Sequence, residues 1–397
     1  MERLAIFGGI PVRETPLGYG RQYIDEDDIK AVAETLRSDN LTCGPKIQAV
    51  EEKICEVTGA EYAVAVSNGT AALHLAALTA GFQEGDEVIV SPITFAASAN
   101  CILYCGAKPV FADINPETYN IDPASIEKLI TPRTKGIVAV DYTGQSVEHN
   151  AIGNICRRYG LTLIEDAAHA IGTRYQGRPI GSIADMTCFS FHPVKTITAG
   201  EGGAVTTNDE KLYRRLLRLR AHGITRSRDE MVHPTDALWY NEQVELGFNY
   251  RMTDIQAALL VSQFGKLEKF AARRKEIVAG YDAAFAEMPE IFVQREIPES
   301  DTVRHLYILR LKPEALNCDR RQFFDALRAE NIYSQVHYLP VYWHSYYEKL
   351  GYEKGICPNA EKYYEEVMSL PLFYGMTDAD AEDVISAVKK IVAHYRR

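Results

Sequence analysis

From residue 60 onward, short apolar runs alternate with stretches whose apolar positions recur at helical spacing. The runs are YAVAV from Tyr62, EVIVS from Glu87, KPVFADI from Lys108, KGIVAV from Lys135 and LTLIED from Leu161. They are rich in Val and Ile and lack a polar alternation, the pattern of strands buried on both faces. Strands of this kind separated by helices predict an α/β fold: a mostly parallel sheet with helices on both sides. MTCFSF from Met186 and GGAVTT from Gly202 read as further strands, followed by a basic helix from Lys211 and one long helix from Thr253 to about Met288. The remainder predicts a strand from His305, a helix from Arg320, a strand from Tyr333 to Leu339 and an amphipathic helix from Asp378, together a smaller α+β domain. A chain of 397 residues exceeds what one core ordinarily organises. The expected division is an N-terminal arm (1–24), a large domain with its connecting helix (25–288) and a small domain (289–397).

Composition narrows the classes of partner. A formal charge of −11 opposes nucleic acid and anionic membrane alike, so a phosphate-bearing ligand must meet a local cradle. Val88 to Ala107 carries no charge over 20 residues, the length of a membrane span, but Pro92 and four polar residues interrupt it. It reads as a buried strand followed by a buried helix. The eight cysteines show no Cys-x-x-Cys pair and no metal-ligand spacing with histidine, so we expect reduced thiols, no metal site and a cytoplasmic protein. The opening residues lack an apolar run of signal-peptide length.

Three segments carry candidate chemistry. Ser67-Asn68-Gly69-Thr70 lies where a strand gives way to a helix, so free backbone N–H groups and the helix N-terminus face the sheet's carboxyl edge and can cradle a phosphate. An ordinary N-cap has the same appearance. Asp166, in IEDAAHA, closes another buried strand at that edge, where a carboxylate suits a cationic ring nitrogen or, equally, caps a helix. Lys195, in SFHPVKTITAGEGGAV, sits in an irregular segment after a strand, where desolvation would lower its pKa and make it a candidate Schiff-base lysine.

Taken together and in order, SNGTAAL, EDAAHA, SFHPVKTITAGEGGAV and NYRMTDIQAAL resemble the DegT/StrS family of sugar aminotransferases across nearly the whole chain. The resemblance implies a type I pyridoxal-phosphate aminotransferase fold and a homodimer with active sites at the subunit interface. It makes Lys195 the lysine bonded to pyridoxal 5'-phosphate and Asp166 the partner of the ring nitrogen. It assigns the phosphate to Asn68, Gly69, Thr70 and Ser190, stacks Phe95 on the ring and places His169 beside it. Asn249 would reach the phosphate in the neighbouring subunit, and pyridoxamine phosphate would alternate with pyridoxal phosphate in the cycle.

A narrower resemblance, in YGRQYIDEDDI, LTCGPK and QVHYLPVY, points to a subgroup that aminates the C4 ketone of UDP-linked 4-keto-6-deoxy-N-acetylhexosamines toward pseudaminic acid-type glycans. It implies glutamate as amino donor and Tyr19, Arg21, Leu41, Thr42, Cys43, Gly44, Arg251, His337 and Tyr338 as substrate-contacting positions. Cys43 departs from the subgroup, where glutamine is common. Other nucleotide-linked keto sugars, dTDP- or GDP-linked and with the ketone at C3 or C4, stay open at this stage. So does a non-catalytic cofactor-binding protein of the same fold. A nucleotide-sugar dehydrogenase is excluded, because no Gly-x-Gly-x-x-Gly follows the early strands.

Overall fold

The computed structural model describes residues 2–397. Its central sheet has seven strands in the spatial order Tyr62–Val66, Gly203–Thr207, Met186–Ser190, Thr162–Asp166, Thr134–Val140, Glu87–Val90 and Lys108–Phe111. Gly203–Thr207 runs antiparallel to both neighbours and the remaining strands share one direction. Their carboxyl ends therefore gather on a single edge, which is where ligands of open α/β sheets bind. The strands are buried along almost their whole length, which accounts for the absence of polar alternation in the sequence. Helix Gly69–Thr79 is likewise buried on nearly every side, hence its run of Ala and Leu. The uncharged stretch from Val88 resolves into the end of a strand and the helix Ala97–Tyr104. No helix among the described residues is long and apolar enough to cross a membrane.

Two expectations need correction. The long helix from Thr253 is two helices, Asp254–Phe264 and Leu267–Phe285, broken at Gly265-Lys266. The break combines a local preference with a contact from a distant segment. The N–H groups of Gly265 and Lys266 turn back to the carbonyls of Ser262 and Gln263, tightening the last turn. Glycine is a poor helix former, and Lys266 is drawn aside to the carboxylates of Asp25 and Asp28. Nor do residues 333–339 form a strand of the small sheet, making only an isolated bridge between Gln335 and Ser369. That sheet consists of Ile291–Val293, Tyr307–Leu311 and Val367–Leu370. Val367–Leu370 buries all four residues, whereas 333–339 is largely half-exposed, so burial favours the former as partner for Tyr307–Leu311.

The arginine-rich helix Glu210–Arg220 is neutralised within the chain. Arg215 and Arg218 bind Glu245 at 3.2 and 3.1 Å, Arg218 also binds Glu230 at 2.8 Å, and Arg220 binds Glu51 at 2.6 Å. The N-terminal arm packs with the C-terminal part of the chain, since Leu4 and Leu17 share a core with Ile277, Leu309, Phe323 and Val388. All eight cysteines are free.

Candidate active site

A cavity of about 700 Å³ opens at the carboxyl edge of the central sheet. Asn68, Gly69, Thr70, Phe95, Asp166, His169, Ser190 and Lys195 line it, together with Tyr19, His337 and Tyr338. Residues distant in sequence converge here because parallel strands deliver their ends to one edge.

The cradle is set by the first turn of helix Gly69–Thr79. Asn68 caps that helix, its side-chain oxygen accepting from the Ala71 N–H at 2.8 Å, an interaction of about 1 kcal/mol. The Gly69 and Thr70 N–H groups and the Ser190 hydroxyl have no partner among the described residues. A Cβ at Gly69 would stand 2.8 Å from the Ser190 Cβ, so a larger residue would close the cradle. Gly203 is equally constrained, because a Cβ there would lie 2.4 Å from the Asn68 carbonyl oxygen. Free amides at a helix N-terminus beside a hydroxyl suit a phosphate group.

Asp166 is buried at the end of its strand. Its carboxylate accepts from the Ser98 hydroxyl at 2.5 Å and the Ala168 N–H at 3.1 Å. Burial nevertheless raises its pKa above the ordinary aspartate value, against the lowering by these two donors and by Lys195. A buried carboxylate with charge left over calls for a cation facing it, which a protonated pyridine nitrogen provides. Ser98 is absent from the sequence-based site. Its trace in the sequence is a hydroxyl inside a mostly apolar helix, four residues after Thr94, whose hydroxyl it meets at 2.6 Å.

On the opposite face of the same strand Glu165 is buried against His149 at 2.6 Å and receives the Thr187 hydroxyl at 2.7 Å. Burial would raise the Glu165 pKa, but His149 and the hydrogen bonds hold it below the usual value. Burial and the neighbouring Glu165 push Asp141 well up. Asp141, His149 and Glu165 stand close enough to share an ion. No sequence spacing announced this cluster, which the sheet assembles from three separate segments.

Lys195 makes no ion pair among the described residues, and burial lowers its pKa from 10.5 to about 8, partly offset by Asp166. Among the described residues it is the only lysine or arginine lining the cavity. His169 is buried with Nδ1 unpartnered and Nε2 3.4 Å from the Tyr338 hydroxyl. Burial and Lys195 hold its pKa well below the usual value. His337, bonded through Nδ1 to the Ser369 hydroxyl at 2.8 Å, is lowered to about 4 by burial and by Lys195. These rings are therefore neutral near pH 7. His305, behind His169 at 4.5 Å between ring centroids, and Tyr142, whose hydroxyl donates to the His337 carbonyl at 2.5 Å, back these rings from outside the cavity lining. Sequence reasoning missed both.

The other expected positions do not line this chain's cavity. Arg21, Leu41, Thr42 and Cys43 are exposed, and Gly44 and Arg251 are half-buried. The Leu41–Gly44 segment is held from behind by Asp254, whose N–H donates to the Leu41 carbonyl and whose carboxylate accepts from the Gly44 N–H at 2.8 Å. Asn249 is exposed and bridges Ala221. Arg251 pairs backbone to backbone with Val66 and, like Arg21, makes no ion pair among the described residues.

This sheet order, with a phosphate cradle, a buried carboxylate and a lysine on one edge, defines a pyridoxal-phosphate-dependent aminotransferase of type I fold. The chain belongs to the DegT/DnrJ/EryC1/StrS aminotransferase family, whose sequence profile it matches over residues 22–389. It is 42% identical over 95% of its length to the spore coat polysaccharide biosynthesis protein SpsC of Bacillus subtilis, covering 97% of that protein. It is 38% identical over 96% of its length to the UDP-4-amino-4,6-dideoxy-N-acetyl-beta-L-altrosamine transaminase of Campylobacter jejuni, covering 98% of it. Among solved structures it resembles Helicobacter pylori PseC, an aminotransferase involved in the biosynthesis of pseudoaminic acid. The TM-score is 0.88 and the identity 32%, over 96% of this chain and 100% of that one.

Proposed function

We propose that this enzyme moves an amino group from L-glutamate to the C4 ketone of a UDP-linked 4-keto-6-deoxy-N-acetylhexosamine, giving the 4-amino sugar for a pseudaminic acid-type glycan. The observation that carries the chemistry is the placement of Lys195 and Asp166 in one cavity beside an unpartnered anion cradle. The Campylobacter relative supports the substrate. The greater identity to SpsC favours a second reading, an amino transfer onto a different nucleotide-linked keto sugar. Turnover with glutamate against UDP-, dTDP- and GDP-linked 4-keto and 3-keto sugars separates the two. The first reading expects the UDP-linked 4-keto-6-deoxy-N-acetyl sugar to give the highest kcat/KM, and a preference for any other sugar overturns it.

When bound, pyridoxal phosphate supplies the electron sink that stabilises charge at the carbon losing its proton. The protein's part is to hold and to move protons. Gly69, Thr70 and Ser190, with Asn68 fixing the turn, would bind the phosphate, and Asp166 would keep the ring nitrogen protonated. Phe95 and His169, which line the same cavity, would flank the ring. Lys195 would hold the cofactor and, as a free amine, would carry protons away from the donor's α-carbon and to the sugar's C4. An amine with a pKa about 8 is suited to both tasks near neutrality. In cofactor-free protein only the neutral Lys195 amine captures pyridoxal phosphate, so the capture rate should rise about tenfold per pH unit below 8 and level off above it. Stopped-flow absorbance measures this. A rise continuing to pH 10 overturns the lowered pKa.

We assign the remaining anion-binding groups to a second subunit. The pocket of one chain offers Lys195 alone, while the cofactor and a nucleotide sugar together bring several negative charges. Asn249 and Arg251 of the partner would meet them, in a cytoplasmic homodimer with shared sites, with Arg21 and the Leu41–Gly44 segment at the rim. Mixing inactive Lys195→Ala with Asn249→Ala subunits at limiting pyridoxal phosphate should restore activity, since one site of each mixed dimer then carries neither change. No recovery despite demonstrated subunit exchange assigns Asn249 a structural role.

A further inference from the structure

The N-terminal arm is nearly devoid of regular structure beyond the short turn Ala5–Phe7, yet it reaches the cavity with a defined path. The path begins at Glu330, fully buried at the C-terminal end of helix Arg320–Ala329. One of its carboxylate oxygens accepts the Ala5 N–H at 2.9 Å. The other accepts the Val12 N–H and the Lys390 ammonium, each at 2.9 Å. Lys390 also donates to the Ile10 carbonyl at 2.8 Å. Residues 5–12 are thus closed around one carboxylate.

The arm then follows the segment after Glu330. The Asn331 side chain donates to the Arg13 carbonyl at 2.8 Å, and Leu17 exchanges backbone hydrogen bonds with Asn331 and Tyr333 at 2.9 and 2.8 Å. Two residues later the Tyr19 carbonyl accepts the Leu372 N–H at 3.0 Å, and the Tyr19 ring lies 5.4 Å from that of His337 at the cavity wall. A Cβ at Gly20 would stand 3.7 Å from Val194, the neighbour of Lys195. The arm's other charged anchor, Arg13 with Asp380 and Asp383, is more open to solvent and so more weakened by salt than the buried Glu330 contacts.

We infer that Glu330 is a positioning residue: through the arm it sets where Tyr19 stands at the cavity wall, and with it the affinity for the nucleotide-linked sugar. The inference rests on the proposed contact between Tyr19 and that substrate. In Glu330→Gln the amide keeps one acceptor, but whichever way it lies its N–H₂ faces a donor, the Ala5 N–H or the Val12 N–H with Lys390, so part of the clasp becomes repulsive. Losing a charge-assisted contact of this kind should raise KM for the UDP-linked keto sugar about tenfold. Trypsin cleavage after Arg3 and Arg13 should accelerate. The kcat, the glutamate half-reaction and the absorbance of the bound cofactor should stay at wild-type values, because the cradle, Asp166 and Lys195 belong to other segments. Lys390→Met keeps both backbone contacts and should raise KM about threefold. If Glu330→Gln does not fold, this variant decides the question by the same criteria.

Tyr19→Ala is the control. If Tyr19→Ala raises KM but a loosened arm in Glu330→Gln leaves it unchanged, Glu330 is structural only and the inference is overturned. If Tyr19→Ala itself leaves KM unchanged, the assignment of Tyr19 to the substrate fails first, and the inference falls with it.

Discussion

Lys195→Ala should reduce turnover by about 10⁴-fold or more, because the proposed mechanism makes one side chain both the covalent anchor and the acid and base of both half-reactions. The fold should persist. In the cofactor-free protein, burial lowers the lysine's pKa to about 8, below its unfolded value, so the folded state disfavours the ammonium. That penalty is fully present below pH 8 and fades as pH rises toward 10.5. The alanine variant should therefore be at least as stable as cofactor-free wild type at pH 7, with wild type gaining on it between pH 8 and 10.5. Thermal melts across that range check the sign. Borohydride reduction of the loaded wild type followed by peptide mapping checks the anchor, and a pyridoxyl adduct on any other lysine would sink the assignment.

Asp166→Asn should retain cofactor binding and lose about 10²- to 10³-fold in kcat, the scale for removing one preorganised electrostatic partner. The substitution is nearly isosteric. The amide oxygen can still accept from the Ala168 N–H, and the amide N–H₂ that replaces the other oxygen can donate to the Ser98 hydroxyl, so the strand end should not move. What is lost is the negative charge that keeps the ring nitrogen protonated. The absorbance of the bound cofactor should shift accordingly, which separates an electronic effect from a displaced ring. Near wild-type turnover would make Asp166 a structural residue. Stability supplies a further readout, because burial raises the Asp166 pKa. Cofactor-free wild type should lose stability as pH rises from the unfolded aspartate value through that raised pKa, and the asparagine variant should not.

The sequence by itself determined the layered α/β architecture and named the small set of residues proposed to carry the chemistry. Strands buried on both faces leave an unmistakable Val- and Ile-rich pattern, and their ends, at Asn68, Asp166 and Ser190, had to share one edge once the sheet was parallel. Irregular residues beside such an edge are then candidates by position, which is how Lys195 stood out. The tertiary structure alone decided what depends on contacts between distant segments. Ser98 beneath Asp166 and His305 behind His169 are linked by no local periodicity. The break at Gly265 and the choice of Val367–Leu370 over residues 333–339 as a strand had the same origin. In each, a short local preference was outweighed by an ion pair with Asp25 and Asp28 or by the burial of a better-matched segment. Glu330 is the clearest case, since its role at the cavity wall exists only because the folded chain brings residues 5 and 12 back to it.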